Sequence, residues 1–393
     1  DKIVSIDEAN GTATIQPYVT IARLSCELQK KGLYIPVPGC PSTAGLISNI
    51  LFGMGLKVAN RVGRQDESIV GFKMILPDGN IIRVGSGADP MIPKDFWPWG
   101  PGPAMHFLPM WTCGTTGIVF EMTVKCWLRG ENYKELWVGY EDVDKAGQAS
   151  QKLARMDIAK GLNVYGGNKY TSYFTDTREA MERMVRANPE FTLICSLEGT
   201  ERRIAFEEKM IRKVAAETGG VVLADKLEPY ESFTESHAGM SGSFFSDYSM
   251  RYWGSRGTNW TTSALAPAEQ HPDQYKAFSD AVLADPEYSD PDYGHGEYWR
   301  GIIVYPYTGG HYTLQENGID VHPGDPRAQN MAMRLGSSYP MAGMQRRVLL
   351  PPFNKAPREG LPPYRPVGYR VTRELVKRLD PTGYLHSGVV FNY

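Results

Sequence analysis

Hydrophobic residues spaced among polar ones from Ile3 to Asp7 and from Thr12 to Gln16, on either side of Asn10-Gly11, predict two strands joined by a turn. Between Thr20 and Lys31 the apolar residues Ile21, Leu24, Cys26 and Leu28 recur at roughly helical spacing, and Gly32 can stop the helix. Ser68 to Arg83 reads as a hairpin, an apolar strand and a second strand around Pro77-Asp78-Gly79. The β-branched run Ile118, Val119, Thr123, Val124 predicts a further strand. After Arg129-Gly130 the pattern changes. Strands are predicted at Glu135–Tyr140, Leu162–Tyr165, Phe191–Leu197 and Val221–Ala224. They alternate with a helix capped by Asp142, a helix over Thr177–Ala187 and a long helix over Glu201–Thr218, whose buried stripe is Ile204, Ile211, Val214 and Ala215. Strands alternating with helices that pack on one face predict an α+β domain of ferredoxin-like type.

From Glu231 to about Met344 the pattern loosens, and aromatic residues crowd between Phe233 and Trp260. A strand is predicted at Tyr298–Tyr307, ending in Gly309-Gly310-His311, and a last helix at Val371–Leu379 after a proline-rich crossing from Leu350 to Pro366. Residues 84–112, rich in proline and tryptophan, read as a long ordered loop that either covers a ligand or plugs a subunit contact. The expected domains are 1–130, 131–349 and a return segment 350–393, with no internal repeat in the sequence.

Composition narrows the function. A formal net charge of −2 over 393 residues, with no basic run, gives no nucleic-acid footprint and no polybasic membrane patch. No apolar stretch reaches the roughly 20 residues of a transmembrane helix. The start, Asp1-Lys2-Ile3-Val4, lacks the features of a signal peptide. Five scattered cysteines form neither a disulfide framework nor a zinc or iron–sulfur pattern, so a reducing, cytoplasmic setting is expected.

Two glycine-bearing segments carry the candidate chemistry. In Pro38-Gly39-Cys40-Pro41-Ser42-Thr43-Ala44-Gly45-Leu46-Ile47-Ser48-Asn49, small residues leave main-chain amides open to an anion such as a diphosphate; an ordinary inter-strand loop is the alternative. In Cys113-Gly114-Thr115-Thr116-Gly117-Ile118-Val119, a bare turn enters a strand and suits close packing on a flat ring. With the Leu76-Pro77-Asp78-Gly79 hairpin, Arg83-Val84-Gly85-Ser86-Gly87-Ala88, Trp99-Gly100-Pro101-Gly102-Pro103 and the closing Asp380-Pro381-Thr382-Gly383-Tyr384-Leu385-His386-Ser387-Gly388, they occur in one order. That order resembles the FAD-linked superfamily of vanillyl-alcohol oxidase and p-cresol methylhydroxylase type.

The resemblance implies FAD, held by Pro38, Gly39, Ser42, Thr43, Gly45, Ser48, Asn49, Gly114, Thr115, Gly117, Ile118 and Val119. It implies a fold made of the second half of a PCMH-type FAD-binding domain plus a ferredoxin-like cap. The first half has no counterpart here, so either a second polypeptide supplies it or the chain is incomplete. It also implies an oxidoreductase subunit passing hydride from a small aromatic alcohol or alkylphenol to flavin N5, with electrons going on to a partner protein or to oxygen. A phenolate would be clamped by tyrosines and an arginine, whereas a 2-hydroxy acid would need an arginine for its carboxylate and a histidine for its hydroxyl proton. The candidates are Arg251, Arg300, Tyr305 and His311, with Tyr252 and Tyr307 beside them. The pairs Tyr364-Arg365 and Tyr369-Arg370 stand too close to Asp380 to take over the family's Tyr-Arg role, and no family metal motif is reproduced at His295, His311 or His322. The same fold acting on a hydroxy acid, or a non-catalytic scaffold subunit, are the competing readings.

Overall fold

The computed structural model describes residues 1–36, 43–53, 58–98, 104–166, 183, 186, 189–223, 258–290, 300–321, 324–345 and 366–385. The chain divides into two units. The first is Asp1–Met54 with Arg64–Arg129 and Lys355–Tyr393, and the second is Gly55–Gly63 with Gly130–Asn354.

The first unit is an antiparallel sheet of β1 (Ile3–Asp7), β2 (Thr12–Ile15), β3 (Ile69–Ile75), β4 (Ile81–Val84) and β5 (Ile118–Lys125), in the order β1-β2-β5-β3-β4. Helix Ile21–Gln29 is capped by Thr20, whose hydroxyl accepts the Arg23 amide at 3.2 Å, and its Ile21, Leu24 and Leu28 join Ile15, Phe72, Met74, Met122 and Val124 in one core. The glycines after β4 have a packing cause. Gly85 has φ +105 and would meet the Val70 carbonyl at 2.6 Å if it carried a Cβ, and a Cβ on Gly87 would meet Arg83 and Asp95. That closeness lets the Asp95 carboxylate accept the Gly87 amide at 2.8 Å, the Thr123 hydroxyl at 3.3 Å and Arg83 Nη2 at 3.4 Å. Ser86 Oγ accepts the amides of Phe96 and Trp97. The Arg-Val-Gly-Ser-Gly-Ala stretch therefore clamps the start of the long loop.

Among the described residues the second unit has seven strands: β6 (Asn132–Tyr140), β7 (Gly161–Gly166), β8 (Phe191–Gly199), β9 (Val221–Val222), β10 (Thr258–Pro267), β11 (Arg300–Tyr307) and β12 (Tyr312–Val321). All pair antiparallel, in the order β9-β6-β8-β7-β11-β12-β10. Helices Val143–Arg155, Glu201–Thr218, His271–Leu283 and Pro326–Gln345 share one core with the sheet residues Leu136, Val138, Leu162, Val164, Leu193, Cys195, Leu197, Ile302 and Val304. Asp142 caps the first of them, accepting the amides of Asp144 and Lys145. The predicted helix over Thr177–Ala187 lies outside the described residues save Arg183 and Arg186.

Strands β6 to β9 with two helices form a βαββαβ unit whose spatial order, fourth-first-third-second, is that of a ferredoxin-like fold. Strands β10 to β12 repeat its βαββ part with the same first-third-second order. Each half presents its second strand to the other, and β7 pairs antiparallel with β11 through Tyr165↔Ile303 and Val164↔Val304. The repeat absent from the sequence is thus present in the topology. The short helix Ala59–Val62 belongs to this unit, with Val58 and Ala59 packed beside Trp137, Tyr165, Ile303 and Tyr305. Asn60 Nδ2 donates to the Ala159 carbonyl at 3.1 Å, and Arg61 Nε pairs with Asp157 at 2.9 Å.

In the first unit's closing segment, helix Pro366–Leu379 ends at a buried Asp380. Burial raises the pKa of this carboxyl, but the amides of Leu385 (2.7 Å) and Tyr384 (2.9 Å) and the Thr382 hydroxyl (3.1 Å) outweigh burial and hold it below the ordinary aspartate value. A depressed folded-state pKa contributes stability that is present above the unfolded value, about 4, and is lost as pH falls through the folded one. Thermal melts of Asp380→Asn should therefore fall below wild type near neutral pH, with the gap closing below about pH 4.

Candidate functional site

In the first unit the two glycine-bearing segments differ in how the fold uses them. Pro38, Gly39 and Ser42 lie outside the described residues. Thr43 and Ser48 are exposed, and Gly45 opens helix Leu46–Phe52. The Gly45 carbonyl accepts the Asn49 amide at 3.2 Å and Asn49 Nδ2 at 3.1 Å. Residues 44–46 are held against 19–21 by Ile21 N–H to the Ala44 carbonyl and Leu46 N–H to the Val19 carbonyl. The backbone of Gly45, φ −68 and ψ 128, suits any residue, and a Cβ there would meet nothing nearer than Ser48 Oγ at 3.8 Å. Within the described chain nothing requires glycine at this position, which fits a bare backbone kept open for a ligand.

The second segment is different. The Thr115 hydroxyl donates to the Thr112 carbonyl at 2.7 Å, the Thr116 hydroxyl to the Leu108 carbonyl at 3.2 Å, and both threonines are buried. Gly114 has φ +81, and Gly117 has φ +150 with the Ile75 carbonyl 2.6 Å from a built Cβ. These glycines are explained by the turn and by the neighbouring strand. Ile118 opens β5 half-exposed, paired to Ile75, which pairs in turn to Ile81; all three are exposed, whereas Val119 is buried. Cys113 stays a thiol, its pKa raised by burial.

Trp111, just before this turn, lies under the Arg64 guanidinium, 4.8 Å from the ring centroid, and a Cβ on Gly53 would strike its indole nitrogen. Arg64 Nε also donates to Asp66 at 2.8 Å. Nearby His106 is buried, which lowers its pKa and keeps the imidazole neutral at pH 7. Gln65, between Arg64 and Asp66, is only 2% exposed, and among the described residues neither atom of its carboxamide has a hydrogen-bond partner.

In the second unit the sheet face opposite the helices carries the polar chemistry. One cross-strand row runs Thr192, Tyr165, Ile303, Glu316, and the next includes Trp137, Ile194 and Asn163. The Tyr305 hydroxyl donates to Glu316 Oε2 at 3.3 Å. Glu135 accepts from the Tyr133 hydroxyl and from Trp137 Nε1 at 3.3 Å. Burial, reinforced by the charges of Glu316 and Glu135, pushes the Tyr165 phenol far above its ordinary pKa, so it remains a donor. At the end of this face the buried Lys160 is paired with Glu198.

Of the predicted catalytic residues, Tyr305 is buried on this face. Arg300 begins β11 opposite Ile319, His311 is exposed after the turn that joins β11 to β12, and Arg251 lies outside the described residues. Sequence reasoning missed Glu135, Tyr165 and Glu316. Alternation in Asn132–Tyr140 could have placed Glu135 opposite the buried Leu136 and Val138, but Glu316 stands among Gln315 and Asn317, all three buried, where no apolar period shows. Among the described residues no group of three acidic, histidine or cysteine side chains could hold a metal, and no helix is long and apolar enough to cross a membrane.

A glycine held open beside a helix start and a buried carboxamide mark the candidate site of the first unit, and a polar sheet face marks that of the second. Residues 1–85 match the family described as FAD binding domain. The glycolate oxidase subunit GlcD of Bacillus subtilis is 32% identical over 159 residues, 40% of this chain and 32% of that protein. An uncharacterized FAD-linked oxidoreductase of Mycobacterium tuberculosis is 24% identical over 227 residues, 56% of this chain and 47% of that one. The chain thus spans about a third to a half of the length of these curated relatives. Among solved structures, 4-ethylphenol oxidase from Gulosibacter chungangensis superposes with a TM-score of 0.81 at 14% identity, covering 100% of this chain and 79% of that one. A substrate-bound p-cresol methylhydroxylase gives 0.73 at 14% identity, covering 99% and 78%. Residues 1–85 carry the FAD binding domain, the fold is that of the PCMH-type FAD-linked oxidases, and the cofactor is FAD.

Gly45→Ala should leave the melting temperature of the flavin-free protein unchanged or slightly raised, because its φ is ordinary and the space is open, while weakening FAD binding roughly tenfold or more. Gly117→Ala should lower the melting temperature with or without FAD, since its φ is left to glycine and the Ile75 carbonyl stands in the way. Calorimetry and flavin titration on both variants check the contrast.

Proposed function

We propose that the protein is an FAD-dependent oxidoreductase acting on a small neutral alcohol or alkylphenol. The observation that carries the reading is the pairing of Tyr305 with Glu316 on a buried sheet face that also bears Tyr165. Bound FAD supplies the hydride acceptor for the oxidised carbon. Tyr165, kept protonated, donates a hydrogen bond to a substrate oxygen, and the Glu316 carboxylate, oriented by the Tyr305 hydroxyl, is a base for the hydroxyl proton that must leave as the carbon is oxidised. In water-poor surroundings a carboxylate accepts from a hydroxyl but repels a second carboxylate, so this face favours an alcohol over a 2-hydroxy acid. The likeness to 4-ethylphenol oxidase and p-cresol methylhydroxylase supports the alkylphenol class. The likeness to a glycolate oxidase subunit supports the hydroxy-acid alternative.

Anaerobic mixing with 4-alkylphenols should bleach the flavin band, with glycolate and lactate leaving it intact; the reverse pattern rejects the substrate class. Glu316→Gln should slow that bleaching roughly a hundredfold with FAD content unchanged.

A second polypeptide packing on the first unit is part of the same reading. The exposed cross-strand row Ile81, Ile75, Ile118 supports it, since three adjacent isoleucines left in water favour a covering surface. Native mass spectrometry of the protein from its source should give a mass that includes FAD and a further polypeptide; a mass of one chain with FAD alone rejects the partner.

A further inference from the structure

We infer that the Gln65 carboxamide hydrogen-bonds the pyrimidine edge of the bound isoalloxazine, an assignment that rests on FAD being the cofactor. Gln65 is 2% exposed, and among the described residues it is the buried carboxamide with no partner at either its Nε2 or its Oε1. Leaving a buried donor and a buried acceptor unsatisfied is costly, and an apolar side chain of similar size would avoid that cost. The backbone around it is over-determined. Arg64 is fixed by Asp66 and by the Trp111 ring, its amide donates to Glu67 Oε1 at 3.2 Å, and the Ser68 hydroxyl donates to the Gln65 carbonyl. The backbone carrying the idle amide is therefore held in place, the side chain is buried, and its partner comes from outside the described chain.

The chemistry of that partner follows from the group itself. A primary carboxamide sets one N–H donor and one C=O acceptor side by side in a plane. Its complement is a ring edge with an acceptor next to a donor, such as the imide edge of the isoalloxazine, where N3–H stands between two carbonyls. The location agrees. Gln65 directly follows Arg64, whose guanidinium lies on the Trp111 ring, within the unit that contains the FAD binding domain. The adenine edge of FAD offers a similar pattern, so the test separates the two ends of the cofactor.

The experiment compares wild type, Gln65→Leu and Gln65→Glu as full-length proteins, stripped of flavin and reloaded with FAD. Stripped Gln65→Leu should melt no lower than wild type, because idle polar atoms have been removed, while its FAD dissociation constant rises roughly tenfold or more. Gln65→Glu, which loses the donor and adds a negative charge beside the ring, should lower the flavin midpoint potential and shift its visible band. Unchanged affinity, potential and band in both variants would overturn the assignment. So would weaker FAD binding with potential and band unchanged, which points to the adenine edge, and so would a stripped Gln65→Leu that melts well below wild type, which means that the amide is satisfied within the protein. A wild-type protein that takes up no FAD overturns the cofactor reading before any variant is compared.

Discussion

The cap depends on one strand pairing, that of β7 with β11. Each of these strands is the second of a βαββ half, and without the other it would be a sheet edge carrying unpaired amides and carbonyls. Joined through Tyr165↔Ile303 and Val164↔Val304, the two halves become a seven-stranded sheet whose helices share one hydrophobic layer. The pairing also decides where the chemistry lies. Side chains alternate across a strand, so fixing Val164 and Val304 toward the helices turns Tyr165 and Ile303 the other way, with Glu316 beside Ile303 in the next strand. The polar row is a consequence of the register.

In the first unit the question is which small residues serve the fold and which serve a ligand. Gly85, Gly87 and Gly117 each have a neighbour that a Cβ would strike, so their chemistry is internal. Gly45 has none, and Gln65 has polar atoms to spare. A turn rich in glycine and threonine looks the same in sequence whether its hydroxyls face a cofactor or, as at Thr115 and Thr116, the turn's own carbonyls.

Much of the architecture was legible in the chain. The hairpin at Pro77-Asp78-Gly79, the Asp142 cap and the bounds of helix Glu201–Thr218 followed from turn chemistry, capping and a clear apolar stripe. The second half of the cap was not. Strand β12 buries Gln315, Glu316 and Asn317, so its inward positions read as polar, and helix Pro326–Gln345 carries glycine, serines and a proline that interrupt any periodic signal. The candidate site was legible only where local chemistry speaks, as at Gly45. Glu316 beside Tyr305 is a pairing across strands, which no single stretch of sequence displays. Gln65 carries no signal at all until its burial is known.

The chain passes from one unit to the other four times, after Met54, Gly63, Arg129 and Asn354, so the flavin-binding unit is assembled from three separated pieces. Its last piece, with helix Pro366–Leu379 and the Asp380 turn, is synthesised only after the entire cap. On the ribosome the cofactor-holding unit therefore stays open until after the cap has been made, and the cap can fold first as a unit of its own. Closure of long loops of this kind slows folding more than it lowers stability, so completion of the flavin-binding unit waits on a piece made after the cap.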